Sequence, residues 1–329
     1  MTEIVSKKII NWGIIGLGNI ANKFAEDLIA VKNSKLYAVA SRSQEKATEF
    51  AQKYNAIKAY NSYEALAKDP SIDAVYIATP HIFHKENTLL CLEKGIAVLC
   101  EKPFAMDAEE VELMVAKAKE KNVLLMEALW TNFLPHYQYV LKAIEDKMFG
   151  NIIKLEADFG FNRTFDNSSR LFNKSLGGGS LLDIGIYPIF AALSTLGIPK
   201  NIKATATYFK NGVDSSCNII FKYSSGTKAY LKSTLLEGTP TEATFYCENG
   251  TIKINTRFHC PTNITLIDQN GKEKTIDFNY KTIGYNYEIE HFNNLIRNRK
   301  TESDIMTFDF SKQLIKTLDD VRNIINLKY

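Results

Sequence analysis

Ile9-Ile10-Asn11-Trp12-Gly13-Ile14-Ile15-Gly16-Leu17-Gly18-Asn19-Ile20-Ala21 is the stretch that decides the fold. Its apolar run reads as a buried strand that passes straight into Gly-x-Gly-x-x-Ala, with a helical pattern beginning at Asn19. In that setting Gly16 permits the tight turn, Gly18 lets backbone N–H groups approach a pyrophosphate, and Ala21 lets the helix lie close on the strand. Asn19 and Ile20 open the helix, where unpaired N–H donors and the positive dipole end favour phosphate.

Working outward, apolar runs alternate with amphipathic ones: 36–40 then 44–54, 74–79 then 84–94, 96–100 then 107–121, and finally 123–128. Strand followed by helix, repeated, means parallel βαβ units. Asp107 with Glu110 makes a capping box, and Gly95 closes the helix before it. From residue 129 the pattern changes to a helix at 134–147, a strand at 152–161 and a polar stretch at 162–174. Gly177-Gly178-Gly179 then leads into an apolar helix at 180–196. Strand runs at 202–209, 217–223, 227–236, 243–247, 251–254, 264–268 and 274–278 follow, several joined by Gly-containing turns, and helices at 285–298 and 304–327 close the chain. The expected fold class is α/β in two domains. Residues 1–128 form a doubly wound Rossmann domain, and 129–329 an α+β domain with a large, mostly antiparallel, open-faced sheet. Tyr208, Phe221, Tyr223 and Tyr230 are expected on its outward face.

Composition agrees and excludes several classes. A chain of 329 residues suits two cores. A net charge of +3 with scattered cations offers no nucleic-acid footprint. Cys91, Cys100, Cys217, Cys247 and Cys260 are odd in number and widely spaced, which points to a reducing cytoplasm. No spacing of Cys and His builds a metal cage. No apolar run approaches the roughly 18 residues of a membrane span, and no export leader is read at the amino end.

The residue ending the second strand selects the dinucleotide, because an acid there would hold an adenosine 2′-hydroxyl. Here Ala40 is followed by Ser41-Arg42, with Lys46 a turn beyond, and no acid is present. Hydroxyl, guanidinium and ammonium groups suit a 2′-phosphate, so NADP is expected, with NAD the lesser alternative. Thr79-Pro80-His81-Ile82-Phe83-His84 and Glu101-Lys102-Pro103 lie where strands of such a sheet deliver their carboxyl ends to the ligand crevice.

With these motifs, and with Glu127-Ala-Leu-Trp130-Thr-Asn132-Phe-Leu-Pro135 and Gly177-Gly-Gly-Ser-Leu-Leu-Asp183-Ile-Gly-Ile-Tyr187-Pro188, the whole chain resembles the Gfo/Idh/MocA family. Its nearest branch is that of dimeric dihydrodiol dehydrogenases and NADP-dependent xylose dehydrogenases. The resemblance implies that Lys102 reaches between nicotinamide and substrate, with Thr79, Pro80, His84, Glu101 and Trp130 beside the cofactor. It implies a cis bond before Pro103, and a homodimer through the second domain's sheet. Many relatives carry His where Tyr187 stands and Arg where Asn132 stands.

Asp183 and Tyr187 are spaced i, i+4 and share a helix face. A phenol is a poor base at its ordinary pKa of about 10, so a Lys102 ammonium has to favour the phenolate; either Tyr187 or Lys102 is then the proton-transfer group. Trp130 and Phe159 suit the apolar face of a sugar or arene diol, and Arg163 and Arg170 lie on the polar stretch beside them. The expected activity is hydride transfer between NADP and a hydroxyl or carbonyl carbon of a sugar, cyclic polyol or trans-dihydrodiol. The alternative is a non-catalytic NADP sensor or scaffold, which would need only the glycine turn and the adenosine end.

Overall fold

The computed structural model describes residues 8–329; residues 1–7, on which the reading of the amino end partly rests, lie outside them. The described residues divide into two compact units, one of residues 8–130 with 281–312 and the other of 131–280 with 313–329.

Among the described residues the first unit holds a six-stranded parallel sheet, ordered β3-β2-β1-β4-β5-β6. Its strands are β1 (Ile10–Ile15), β2 (Ser34–Ala40), β3 (Lys58–Tyr60), β4 (Ala74–Ile77), β5 (Ala97–Glu101) and β6 (Leu125–Ala128). Between them run α1 (Asn19–Ala30), α2 (Gln44–Tyr54), α3 (Tyr63–Ala67), α4 (His84–Glu93) and α5 (Ala108–Lys121). The order reverses beside β1, so the Gly16 turn and the carboxyl end of β4 flank the switch point where such sheets bind ligands. β4 and β5 are buried along their whole length, as parallel strands covered on both faces must be. Asp107 caps α5 as its spacing predicts, accepting from Glu110 N at 2.9 Å. β3 and α3 are short and carry no strong period, and the sequence reading passes over them.

Residues 281–312, placed with the second domain from sequence, pack instead on the first unit. α8 (Tyr285–Arg297) brings Asn293 to the fully buried Trp12, whose indole N–H donates to Asn293 Oδ1 at 3.1 Å. Asp27 of α1 caps the start of α8 in place of a local residue. Its carboxylate accepts from the backbone N–H of Ile283, Gly284, Tyr285 and Asn286 at 2.7–3.2 Å.

The second unit is built on an eight-stranded sheet ordered β14-β13-β12-β11-β7-β10-β9-β8. These strands are β7 (Ile152–Gly160), β8 (Asn201–Tyr208), β9 (Asp214–Lys222), β10 (Lys228–Thr234), β11 (Ala243–Cys247), β12 (Gly250–Ile254), β13 (Ile264–Asp268) and β14 (Glu273–Ile276). Every pair is antiparallel except β7 with β10. α6 (Pro135–Glu145) and α7 (Ile186–Leu196) belong to this unit, and α9 (Phe308–Ile324) runs across the boundary between the two sets of residues.

Three expectations are corrected here. Phe221 does not face outward: Cys217, Ile219 and Phe221 form the buried parity of β9, whereas Tyr230 is exposed; Tyr208 pairs with the buried Asp214 and donates its hydroxyl to Ile325 O, so it does not line that face either. The apolar stretch 180–196 is not one α-helix, because Leu181–Gly185 is a π-helical turn that precedes α7. Pro188 gives the reason, since its ring removes the N–H that would pair with the Ile184 carbonyl and crowds that carbonyl. The helical stretch 174–196 is also long and apolar enough to cross a membrane, contrary to the sequence reading, but 89% of its apolar window is buried inside the protein. It is packed as a core helix.

Candidate active site

The dinucleotide turn is built as its glycines require. Gly16 has φ +88°, and a Cβ there would come within 2.7 Å of Thr79 N and 2.9 Å of Ala78 O, so β1 and β4 meet at a point where only glycine fits. A Cβ on Gly18 would meet nothing within 4 Å. Gly18 is also the N-cap of α1, with no side-chain hydrogen bond and no acid in the first turn. An open approach to uncapped N–H donors fits a pyrophosphate. Ala21 is fully buried against the sheet.

α2 begins differently. Ser43 Oγ accepts from Lys46 N at 3.3 Å, while Ser41 Oγ accepts from Ser43 N at 3.2 Å. With the helix start satisfied by Ser43, the Arg42 and Lys46 side chains are left exposed. The Arg42 guanidinium lies 5.9 Å from the centre of the Phe83 ring, a cation–π contact at the edge of its range.

Thr79 and Pro80 lead from β4 into a short 3-10 turn and α4. His84 is turned inward and buried, its ring nitrogens 2.8 Å from Thr79 O and 2.9 Å from Pro103 O. It braces the loops after β4 and β5 against each other. The Lys102–Pro103 bond is cis. Behind it, Glu101 accepts from the Tyr76 hydroxyl and from Lys102 N, the latter at 3.1 Å. Glu127 accepts from Phe104 N at 3.0 Å, and burial pushes its carboxyl up to about 7. Trp130 is 7% exposed and stacks on Tyr285, centroids 4.5 Å apart. Its indole N–H has no hydrogen-bond partner among the described residues. Tyr285 was read only as a helix start, since nothing in its spacing ties it to Trp130.

In the second unit Tyr187, 6% exposed, sits with its ring 5.8 Å from Phe159 and 4.8 Å from His259. Phe159 and His259 stack on each other at 4.2 Å. His259 therefore belongs to the wall around Tyr187; 72 positions separate the two along the chain, and no motif links them. Its segment is pinned by Thr131, whose Oγ1 donates to His259 O at 2.9 Å, and by His136, whose Nε2 lies 2.9 Å from Phe258 O. Burial lowers His136 to about 4, so the ring is neutral. Asp183 pairs with Arg170 at 2.8 Å, whereas the exposed Arg163 has its guanidinium 5.8 Å from the Phe161 ring centre. The two residues that share a helix face by sequence thus lie beside an aromatic wall and an ion pair. Among the described residues no group of three or more His, Cys, Asp or Glu could hold a metal ion.

A doubly wound sheet with an open glycine turn, joined in one chain to a carboxylate, a phenol and an aromatic wall, defines a dinucleotide-dependent oxidoreductase. Residues 10–129 match the NAD-binding Rossmann fold of the GFO/IDH/MocA oxidoreductase family, and 137–253 match the GFO/IDH/MocA C-terminal domain. The chain is 36% identical over 330 residues to trans-1,2-dihydrobenzene-1,2-diol dehydrogenase of Xenopus tropicalis, covering 97% of this chain and 98% of that one. It is 34% identical over 327 residues to scyllo-inositol 2-dehydrogenase (NADP(+)) IolU of Bacillus subtilis, covering 98% of each. Among solved structures, aldose-aldose oxidoreductase of Caulobacter crescentus shares the fold, with a TM-score of 0.88 and 22% identity over 97% of this chain and 98% of that one. The chain belongs to the Gfo/Idh/MocA family, and it is an oxidoreductase.

Proposed function

We propose that the chain is an NADP-dependent dehydrogenase or reductase acting on a secondary hydroxyl, or the matching carbonyl, of a ring bearing neighbouring hydroxyl groups: a sugar, a cyclic polyol or a trans-dihydrodiol. The observation that carries this is the setting of Tyr187, at the start of α7 against the Phe159–His259 stack and directly after the π-helical turn that carries the Asp183–Arg170 pair. The aromatic faces suit the apolar face of a ring, and the carboxylate suits a hydroxyl donor. The relatives named as acting on a dihydrodiol and on an inositol agree with such a ring.

When bound, NADP supplies the nicotinamide that accepts or returns the hydride. The turn Gly16, Gly18, Asn19, Ile20 and Ala21 holds its pyrophosphate on the α1 N–H donors. Ser41, Arg42 and Lys46 hold the 2′-phosphate. Thr79, Pro80, Glu101 and Trp130 line the nicotinamide end, and His84 keeps the two loops that carry them in place. Tyr187 removes the hydroxyl proton as general base, with the Lys102 ammonium favouring its phenolate. Asp183 orients the hydroxyl, Phe159 packs on the ring, and Arg163 and Trp130 are further candidate substrate contacts.

Binding of NADPH followed by fluorescence, with turnover of D-xylose, scyllo-inositol and trans-1,2-dihydrobenzene-1,2-diol, tests the reading; tight binding with no turnover on any ring alcohol overturns it in favour of a sensor. Five buried, widely spaced cysteines support a reducing compartment, the cytoplasm. A second copy laid on the open sheet face, where Tyr230 is exposed, completes a dimer; a monomer by light scattering at micromolar concentration would refute it.

A further inference from the structure

The π-helical turn Leu181–Gly185 carries Asp183 and delivers α7 with Tyr187 in its first turn. Such turns are rare, and they hold only where their surroundings favour them over a regular helix. Two strands of the same unit supply those surroundings. From β9, the fully buried Asp214 accepts through one oxygen, Oδ2, from Ser180 Oγ at 2.7 Å and from Leu181 N at 2.7 Å. From β10, the buried Ser233 places its Oγ 3.0 Å from Ser180 Oγ, and a Cβ on Gly185 would come within 2.9 Å of it. The entry of the turn is therefore held by a carboxylate and its exit is packed on a hydroxyl. Gly179 has φ +124°, and any Cβ there would collide with Asp214 Oδ1. Gly178 admits none either, with Leu171 O and Arg170 O both under 3 Å from where it would sit. The loop packed on these glycines is the one that sends Arg170 to Asp183.

We propose that Asp214 is a positioning residue for the reaction: through Ser180 Oγ and Leu181 N it locks the π-helical turn, and so sets where Asp183 and Tyr187 stand. This rests on the catalytic assignment of those two side chains made above. Asp214 touches neither of them through the bonds that anchor it, and it acts through the backbone of the turn. A group displaced by about 1 Å can cost a hundredfold in rate with little change in binding, which is the signature of such a residue.

The test compares Asp214→Ala, Asp214→Asn and Ser180→Ala in the full chain, each first checked for folding by circular dichroism. The readouts are kcat and KM on the alcohol that the wild type oxidises best, NADPH affinity by fluorescence, and hydrogen exchange at the Leu181 amide. Asp214→Ala is expected to lower kcat about 10- to 100-fold, to leave NADPH affinity within twofold, and to speed Leu181 exchange at least tenfold. Asp214→Asn keeps an oxygen at the Oδ2 position and is expected to stay within about fivefold of the wild-type kcat. Ser180→Ala removes one of the two bonds and falls between them, which keeps the test open should Asp214→Ala not fold. A folded Asp214→Ala with wild-type kcat, or an Asn variant as impaired as the Ala one, overturns the proposal. A fully active Tyr187→Phe instead sinks the catalytic assignment. Leu181 exchange in Asp214→Ala distinguishes the two failures, because it reports the turn whether or not Tyr187 takes a proton.

Discussion

Removing the Asp27 carboxylate should loosen α8 far more than an ordinary surface change. Four backbone N–H groups converge on it, three on Oδ2 and one on Oδ1, and the residue is 3% exposed. Hydrogen bonds to a charged acceptor contribute about 1.5–3 kcal/mol each, and a buried N–H left without a partner costs about 1–3 kcal/mol. The N–H groups of Gly284 and Tyr285 are the buried pair, so Asp27→Ala leaves two such groups and also removes a charge that favours the helix N-terminus by up to about 1 kcal/mol. The total is about 4 kcal/mol. Asp27→Asn can place its carbonyl at the Oδ2 position and keep three bonds, but its amide then faces the Ile283 N–H, for a loss of about 2 kcal/mol. A chain of two units need not unfold in one step, so the measurement is local: hydrogen exchange of the Tyr285 to Phe292 amides. At tenfold per 1.4 kcal/mol, exchange should accelerate about a thousandfold in the Ala variant and about thirtyfold in the Asn variant. Acceleration of less than tenfold in Asp27→Ala would refute the claim that this carboxylate holds residues 281–312 on the first unit.

Arg42→Ala should raise the Kd for NADP about 10- to 100-fold while NAD changes by less than about twofold, since one charge-assisted contact to the 2′-phosphate is lost; equal losses by titration of both cofactors would remove Arg42 from that role. Tyr187→Phe should cut kcat about 100-fold or more with NADPH affinity unchanged, and steady-state rates beside fluorescence titration decide it. His136 carries a pH dependence: its folded pKa of about 4 lies below the ordinary 6.5, so the unfolded chain takes up the proton first on acidification. Its contribution is fully present above pH 6.5 and is lost as pH falls from 6.5 towards 4, amounting to about 2 kcal/mol by pH 5. Denaturation of the wild type and His136→Asn at pH 7 and pH 5 should show a shallower loss in the variant; parallel losses would contradict it.

The first unit was legible because its signals are local. Gly16, Gly18 and Ala21 meet steric demands set within a few residues, and Asp107 caps α5 through Glu110 as its spacing says. What escaped has long-range causes. Asp27 caps a helix that starts more than 250 positions away, so α8 shows no capping residue of its own and seemed to belong with its sequence neighbours. His259 joins Phe159 and Tyr187 only because β7, α7 and the segment after β12 meet in space. The π-helical turn was hidden by a composition that suits any buried helix, although Pro188 marked the place. Phe221 was assigned to the wrong face because strand parity cannot be counted from aromatic content; it needs one inward residue known, here Cys217.

The triple glycine limits what variation can do to substrate choice. Gly177 has a left-handed backbone at φ +71°, Gly178 is enclosed by carbonyls, and Gly179 abuts a carboxylate. Steric closure at Gly178 and Gly179 and a left-handed backbone at Gly177 make side chains costly at three adjacent positions, so altered specificity is poorly sought there. The freedom lies in side chains whose backbone tolerates exchange: Phe159, His259 and the partner that Asp183 takes in Arg170. A library aimed at new ring alcohols should spend its diversity on those three and leave residues 177–181 alone.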